Sequence, residues 1–67
     1  MTSAQLRQAL RELNSERDAE FHFHGAPPCH VPGAILIPEE GDQIVKVSDG
    51  KHVYLIDADR VAWVKIG

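Results

Sequence analysis

The densest chemistry in this 67-residue chain is the run Phe21-His22-Phe23-His24, followed after a stiff segment by Cys29-His30. His22 and His24 are two apart, so on an extended strand both imidazoles leave the same face. Cys29 and His30 could fold back toward them, and histidines with a cysteine thiolate make a legitimate zinc set. Against that reading, the spacing matches no zinc-finger pattern, and adjacent Cys29 and His30 can seldom ligate one ion without strain. The same histidines equally form the polar outer face of an amphipathic strand. Cys29 activated by a histidine is a weaker proposition, because closeness in sequence is not the geometry a catalytic pair needs.

Other groups invite similar double readings. Glu39, Glu40 and Asp42 put three acids into one turn. They could hold a hard cation or do acid–base work, but turns are commonly acidic because they are solvated. Asp57 and Asp59 flank a corner, where carboxylates accept backbone N–H groups and fix a bend; Arg60 follows and can pair with them. Arg7 and Arg11 are four apart and share one helical face, either a solvated surface or a phosphate-contacting edge. Tyr54 and Trp63 could stack on bases or sit in a subunit interface, where aromatics are enriched. With few basic groups beside them, the interface reading is preferred. No constellation amounts to a catalytic signature, so the chain is expected to be a non-enzyme without a cofactor.

The totals narrow the field. A chain of this length makes one domain, here residues 1–67, and buries only about 60% of its unfolded surface, so its core is marginal. A single cysteine excludes an internal disulfide, leaving metal binding, self-association or close packing as the staple; self-association is preferred. Seven basic against ten acidic residues give a net charge of −3. That argues against broad, non-specific nucleic-acid binding, but not against a small local site. No apolar run approaches the roughly 20 residues of a membrane span. The N-terminus has no signal-peptide core, and a cytoplasmic location is the default for a lone free thiol.

The elements that must position these residues follow from periodicity. Leu6, Ala9, Leu10 and Leu13 recur at helical spacing over residues 1–14, and Thr2 with Gln5 three residues on forms a capping box. Residues 19–24 alternate apolar and polar, as a half-buried strand does. Residues 25–32, Gly-Ala-Pro-Pro-Cys-His-Val-Pro, read as a stiff loop, because three prolines remove backbone donors. Residues 33–38 form an apolar run ended by Pro38, and 44–47 form a strand. Asp49-Gly50 then marks a hairpin into the strand 52–56. A tight corner leads to the last strand, 61–66. Val53 and Leu55 point one way and Tyr54 and Ile56 the other; Val61 and Trp63 are expected on one face, Ala62, Val64 and Ile66 on the other. Apolar residues on both faces imply a cover, either the helix or a neighbouring subunit. The fold class is thus mainly β: an N-terminal helix and five short strands that curl into a strongly bent antiparallel barrel.

At these positions the chain resembles the Sm-like family. The family's first motif has a glycine, an apolar residue two later, an aspartate six later and an asparagine ten later, followed by an apolar run. Gly33, Ile35, Glu39, Gln43 and Ile44-Val45 stand there without a gap. The second motif, roughly Ile-Arg-Gly-Asp/Asn, a variable residue and Val, is matched by Ile56, Asp59 and Val61. Asp57 stands where the family has arginine, Ala58 where it has glycine, and Gln43 where it has asparagine. The resemblance implies a helix and a five-stranded barrel, with rings built by pairing the fourth strand of one subunit to the fifth of the next. It also implies RNA or a short nucleotide at the pore. Gln43 would read a base edge, Asp59 and Arg60 would shape the pocket, and Lys51, Arg7 and Arg11 would supply positive charge. The subunit interface would fall on Tyr54, Ile56, Val61, Trp63 and Val64. An acid at position 57 should repel phosphate. That keeps open two other readings: an oligomeric interaction module without nucleic acid, and a metal protein using His22, His24, Cys29 and His30.

Overall fold

Thr2 decides where the first helix begins. Its hydroxyl accepts the Gln5 backbone N–H at 3.0 Å, and the Gln5 side-chain oxygen accepts the Thr2 N–H at 3.0 Å, a reciprocal pair that satisfies two otherwise orphaned donors. The structure is a computed structural model describing Met1–Gly67. Helix α1 spans Ser3–Leu10, shorter than the 1–14 run expected. A turn at 11–12 closes it, and Leu13 N–H still reaches the Leu10 carbonyl at 3.1 Å. Leu6, Leu10 and Leu13 are buried as the periodicity required, whereas Ala9 stays exposed.

Six strands follow: β1 Ala19–Phe23, β2 Ala26–Val31, β3 Ile35–Leu36, β4 Val45–Ser48, β5 Val53–Ile56 and β6 Val61–Ile66, with a 3-10 turn at Ala58–Arg60 between the last two. They form two antiparallel three-stranded sheets, ordered β2-β1-β6 and β3-β4-β5. The expected barrel of five strands is corrected on two counts. There are six strands, and the sheets do not close, because β5 and β6 are not hydrogen-bonded to each other.

The extra strand is the segment read as a loop from its prolines. β2 lies at the outside of its sheet, so alternate backbone groups have no ladder partner to lose, which is where proline is tolerated. The remaining mismatch is absorbed by a bulge. Phe21 pairs with Cys29 and Phe23 with Ala26, so Pro27 and Pro28 together stand opposite the single residue His22. A second irregularity lies on the other side of β1. His22 pairs with Trp63 and Phe23 with Val61, leaving Ala62 as the extra residue. The bulge breaks strict alternation and turns Val61 into the core while Trp63 faces out. The expectation that these two share a face is overturned there.

Between β2 and β3 the chain passes from one sheet to the other. Gly33 makes this possible with φ +52, and a Cβ on it would stand 3.1 Å from the Ser15 carbonyl oxygen. Its N–H donates to Asp18 Oδ1 at 3.0 Å, and Ala34 N–H donates to the Arg17 carbonyl at 2.8 Å. The charged connector after α1 is thereby pinned to the crossing. The core lies where the elements converge. Phe21, Leu6, Leu10, Val31, Val45 and Val47 are its largest fully buried side chains.

The β4–β5 hairpin forms as expected, with a different turn. Ser48 pairs with Val53, leaving a four-residue loop in which Gly50 alone has positive φ. Asp49 organises it by accepting the backbone N–H groups of Lys51 at 2.8 Å and His52 at 2.7 Å and the Tyr54 hydroxyl at 2.8 Å. Those bonds to its charged form hold the Asp49 carboxyl well below the usual carboxylate range, and the same carboxylate raises the Tyr54 phenol.

Candidate functional site

Two features of the surface carry information about function: a polar cleft and a pair of unpaired strand edges. The cleft, about 210 Å³, opens where the segment before β4 meets the corner after β5. Gln43 enters it from a residue with φ +61, Ser3 comes from the first turn of α1, and Asp57 and Asp59 come from the 3-10 corner, over a floor that includes Ile44 and Ile56. Asp57 is partly occupied as the cap of that corner, its Oδ1 accepting the Asp59 N–H at 3.2 Å. Gln43 and Asp59, set 16 positions apart in the sequence, therefore meet in space.

The cations expected near them do not line this cleft. Arg60 is exposed and its Nε lies 3.6 Å from Asp57 Oδ2 on the outside of the corner. Lys51 sits in the β4–β5 turn. Arg7 donates to the Ile37 carbonyl at 3.0 Å, tying α1 to the chain after β3. Arg11 stands at the exposed end of α1. The cleft is thus rich in acceptors and suited to N–H donors, while its carboxylates oppose phosphate. A larger open hollow, about 510 Å³, lies against Met1, Gln5, Gln8 and Ala9 and has no ionisable side chain.

Two of the three acids in the turn, Glu40 and Asp42, are engaged within the chain. Lys46 Nζ donates to Glu40 Oε1 and to Asp42 Oδ2, both at 2.7 Å. This lowers the Asp42 carboxyl and raises the Lys46 ammonium from their ordinary values.

No group of three or more His, Cys, Asp or Glu side chains converges as a metal site. His22 lies flat against Trp63, ring centroids 3.7 Å apart and planes at 6°, and its Nε2 is 2.6 Å from Glu20 Oε2. His30 faces Asp18 at 3.5 Å and Glu20 at 3.7 Å. Cys29 pairs across β1 with Phe21 and packs against the core; its half-buried setting pushes the thiol up, away from the reactive thiolate. His24, expected on the strand beside His22, lies instead in the turn after β1, where its backbone N–H donates to the Arg60 carbonyl at 2.8 Å.

The sheet edges differ in kind. β2 is blunted by Pro27 and Pro28, and β3 by its two-residue length, both devices that stop strands from adding. β5 and β6 have neither. Beside their open edges are the most exposed large apolar side chains of the two strands: Val53 at 57%, Leu55 at 63%, Trp63 at 52% and Ile66 at 37%. Of the residues expected at a subunit interface, Trp63 is exposed here. Ile56 and Val61 lie in the core at 5% and 2%. Val64 packs partly against the core, and Tyr54 does so while bound to Asp49. Val53 and Leu55 face opposite Ile56 as expected; Val64 and Ile66 keep one alternation beyond the bulge, opposite Phe21 and Ala19, and Ile66 is the more exposed because it ends β6.

No protein-family model, no curated protein and no solved structure matches this chain. No helix is long and apolar enough to cross a membrane.

Proposed function

We propose that this protein is a non-enzymatic, Sm-like assembly module that builds a homo-oligomer by pairing the β5 edge of one subunit with the β6 edge of the next. The observation that carries the reading is the asymmetry of the edges: two are blunted, and two are open and flanked by exposed apolar side chains. Two different edges joined head to tail make a heterologous contact, which closes as a ring when the rotation allows. Counting β2 and β3 as one strand bent at Gly33 gives the helix and five bent strands of the Sm-like pattern, with its gap between the last two. The test is a mass measurement in solution across a range of concentrations. A multi-subunit species is expected; a strict monomer would falsify the proposal.

A second reading is favoured by the cleft. Gln43, Asp57 and Asp59 present acceptors in a space of about 210 Å³, which supports binding of a base of RNA or of a short nucleotide through its amino and imino N–H groups. The acids beside it predict weak binding with little phosphate contribution. Titration with adenosine- or guanosine-containing oligonucleotides at low and moderate salt tests this. Binding lost in Gln43→Ala is expected. Oligomers that retain no RNA at low salt would leave an interaction module without nucleic acid.

A further inference from the structure

Glu20, His22 and Trp63 form a connected unit on the outer face of β1 and β6 that neither the assembly nor the cleft explains. The imidazole is flat on the indole and bonded edge-on to a carboxylate. More than half of Trp63 remains exposed although His22 covers one of its faces. The indole is therefore oriented by the histidine rather than by burial. We propose that Glu20, His22 and Trp63 are a proton-responsive clamp, in which a proton taken by His22 locks the indole of the open β6 edge and so regulates assembly through that edge. The regulatory part rests on the reading of β6 as an assembly edge.

With a neutral ring, Nε2–H donates an ordinary hydrogen bond to Glu20, and the stack is held by dispersion. With a protonated ring the same geometry becomes an ion pair and a cation over the indole face, both stronger contacts. No rearrangement is needed, only a change of strength. The surrounding charges come from every neighbouring strand. On β1, Glu20 lies on one side of His22, and His24 follows in the turn to β2. On β2, His30 approaches Glu20 at 3.7 Å, with Asp18 at 3.5 Å on its far side. On β6, Lys65 is the cross-strand partner of Glu20, and Arg60 before it is paired with Asp57. Two carboxylates thus serve two neighbouring imidazoles, while Lys65 competes for Glu20. The His22 hydrogen bond lowers the Glu20 carboxyl from its ordinary value, so Glu20 is a charged acceptor for the ring. The clamp tightens when His22 takes a proton and releases only where Glu20 itself takes one.

Trp63 is the single tryptophan, so its emission reports the stack directly. Emission of the full chain is followed between about pH 5 and 8, with sedimentation at both ends of the range. The wild type should show one emission transition with a parallel shift in mass distribution. His22→Phe keeps an aromatic ring against the indole but cannot take the proton, and should lose both changes. Glu20→Gln should move the transition to lower pH, and His30→Ala should retain it. A flat wild-type emission, or a transition that persists in His22→Phe, overturns the clamp. An oligomer whose mass is independent of pH, beside a normal emission transition, overturns the regulation. A monomer at every pH refutes the edge-assembly reading itself.

Discussion

Leu55→Glu should dissolve the proposed oligomer and leave the subunit folded. Leu55 is 63% exposed on β5 and lies directly across from Lys46 on β4. Fully burying a leucine side chain is worth about 1.5–3 kcal/mol. With roughly two-thirds of that surface still open, about 1–2 kcal/mol remains to be gained when a neighbour covers it. Removing that gain weakens each contact about five- to thirty-fold, before the added cost of burying a carboxylate against an apolar strand. The fold should tolerate the change, because Leu55 is exposed and lies outside the buried core. Sedimentation equilibrium over a wide concentration range reads the contact, and urea unfolding at low concentration reads the fold. The expected result is a shift toward monomer with an unfolding midpoint close to that of the wild type. An unchanged mass distribution in a folded Leu55→Glu protein would show that β5 is not the contacting edge.

Three further outcomes test the fold beneath the edges. Phe21→Ala removes the largest fully buried side chain. At about 3–5 kcal/mol for such a truncation, against about 3–10 kcal/mol for a domain of this length, urea unfolding should find little folded protein left. Gly33→Ala must hold an alanine at φ +52 with its Cβ 3.1 Å from the Ser15 oxygen. A loss of about 1–3 kcal/mol is expected, larger than for Gly25→Ala, which has positive φ but open space; equal losses would exclude crowding as the cause. The Asp49 carboxyl is lowered in the folded state, so its contribution is full above the unfolded value of about 3.9 and is lost as pH falls toward the folded one. Asp49→Asn should therefore be less stable near neutrality and show a flatter acid limb in urea midpoints, and a parallel limb would remove Asp49 as its source.

Local chemistry was readable wherever one residue type decides the backbone. Thr2 with Gln5 gave the helix start, Asp49-Gly50 the hairpin and Asp57 the corner, because each supplies a bond or a φ that few other residues can. The Gln43–Asp59 proximity was readable only through the Sm-like resemblance, since nothing local links two residues on separate elements. What escaped depended on pairing. Prolines at 27 and 28 forbid a central strand, but an edge strand with a bulge accommodates them, and which strands lie at an edge is a property of the whole sheet. The same bulged region places Ala62 out of register, so period-two counting assigned Val61 and Trp63 to one face and hid the His22–Trp63 stack.

The prolines that obscured β2 also bear on what the protein does. A sheet with two equivalent open edges would add strands without direction, and a growing β aggregate is the expected outcome. Here Pro27 and Pro28 deny the β2 edge, and the two-residue β3 offers too short a ladder, so only β5 and β6 can recruit a partner. Restricting addition to one edge of each sheet turns an aggregation hazard into a single directional contact. Directionality is what allows identical subunits to close on themselves. In the proposed assembly, the segment that looked least regular in the sequence is the one that would limit the contact to a defined pair of edges, and the chain's small core is what such a contact would support.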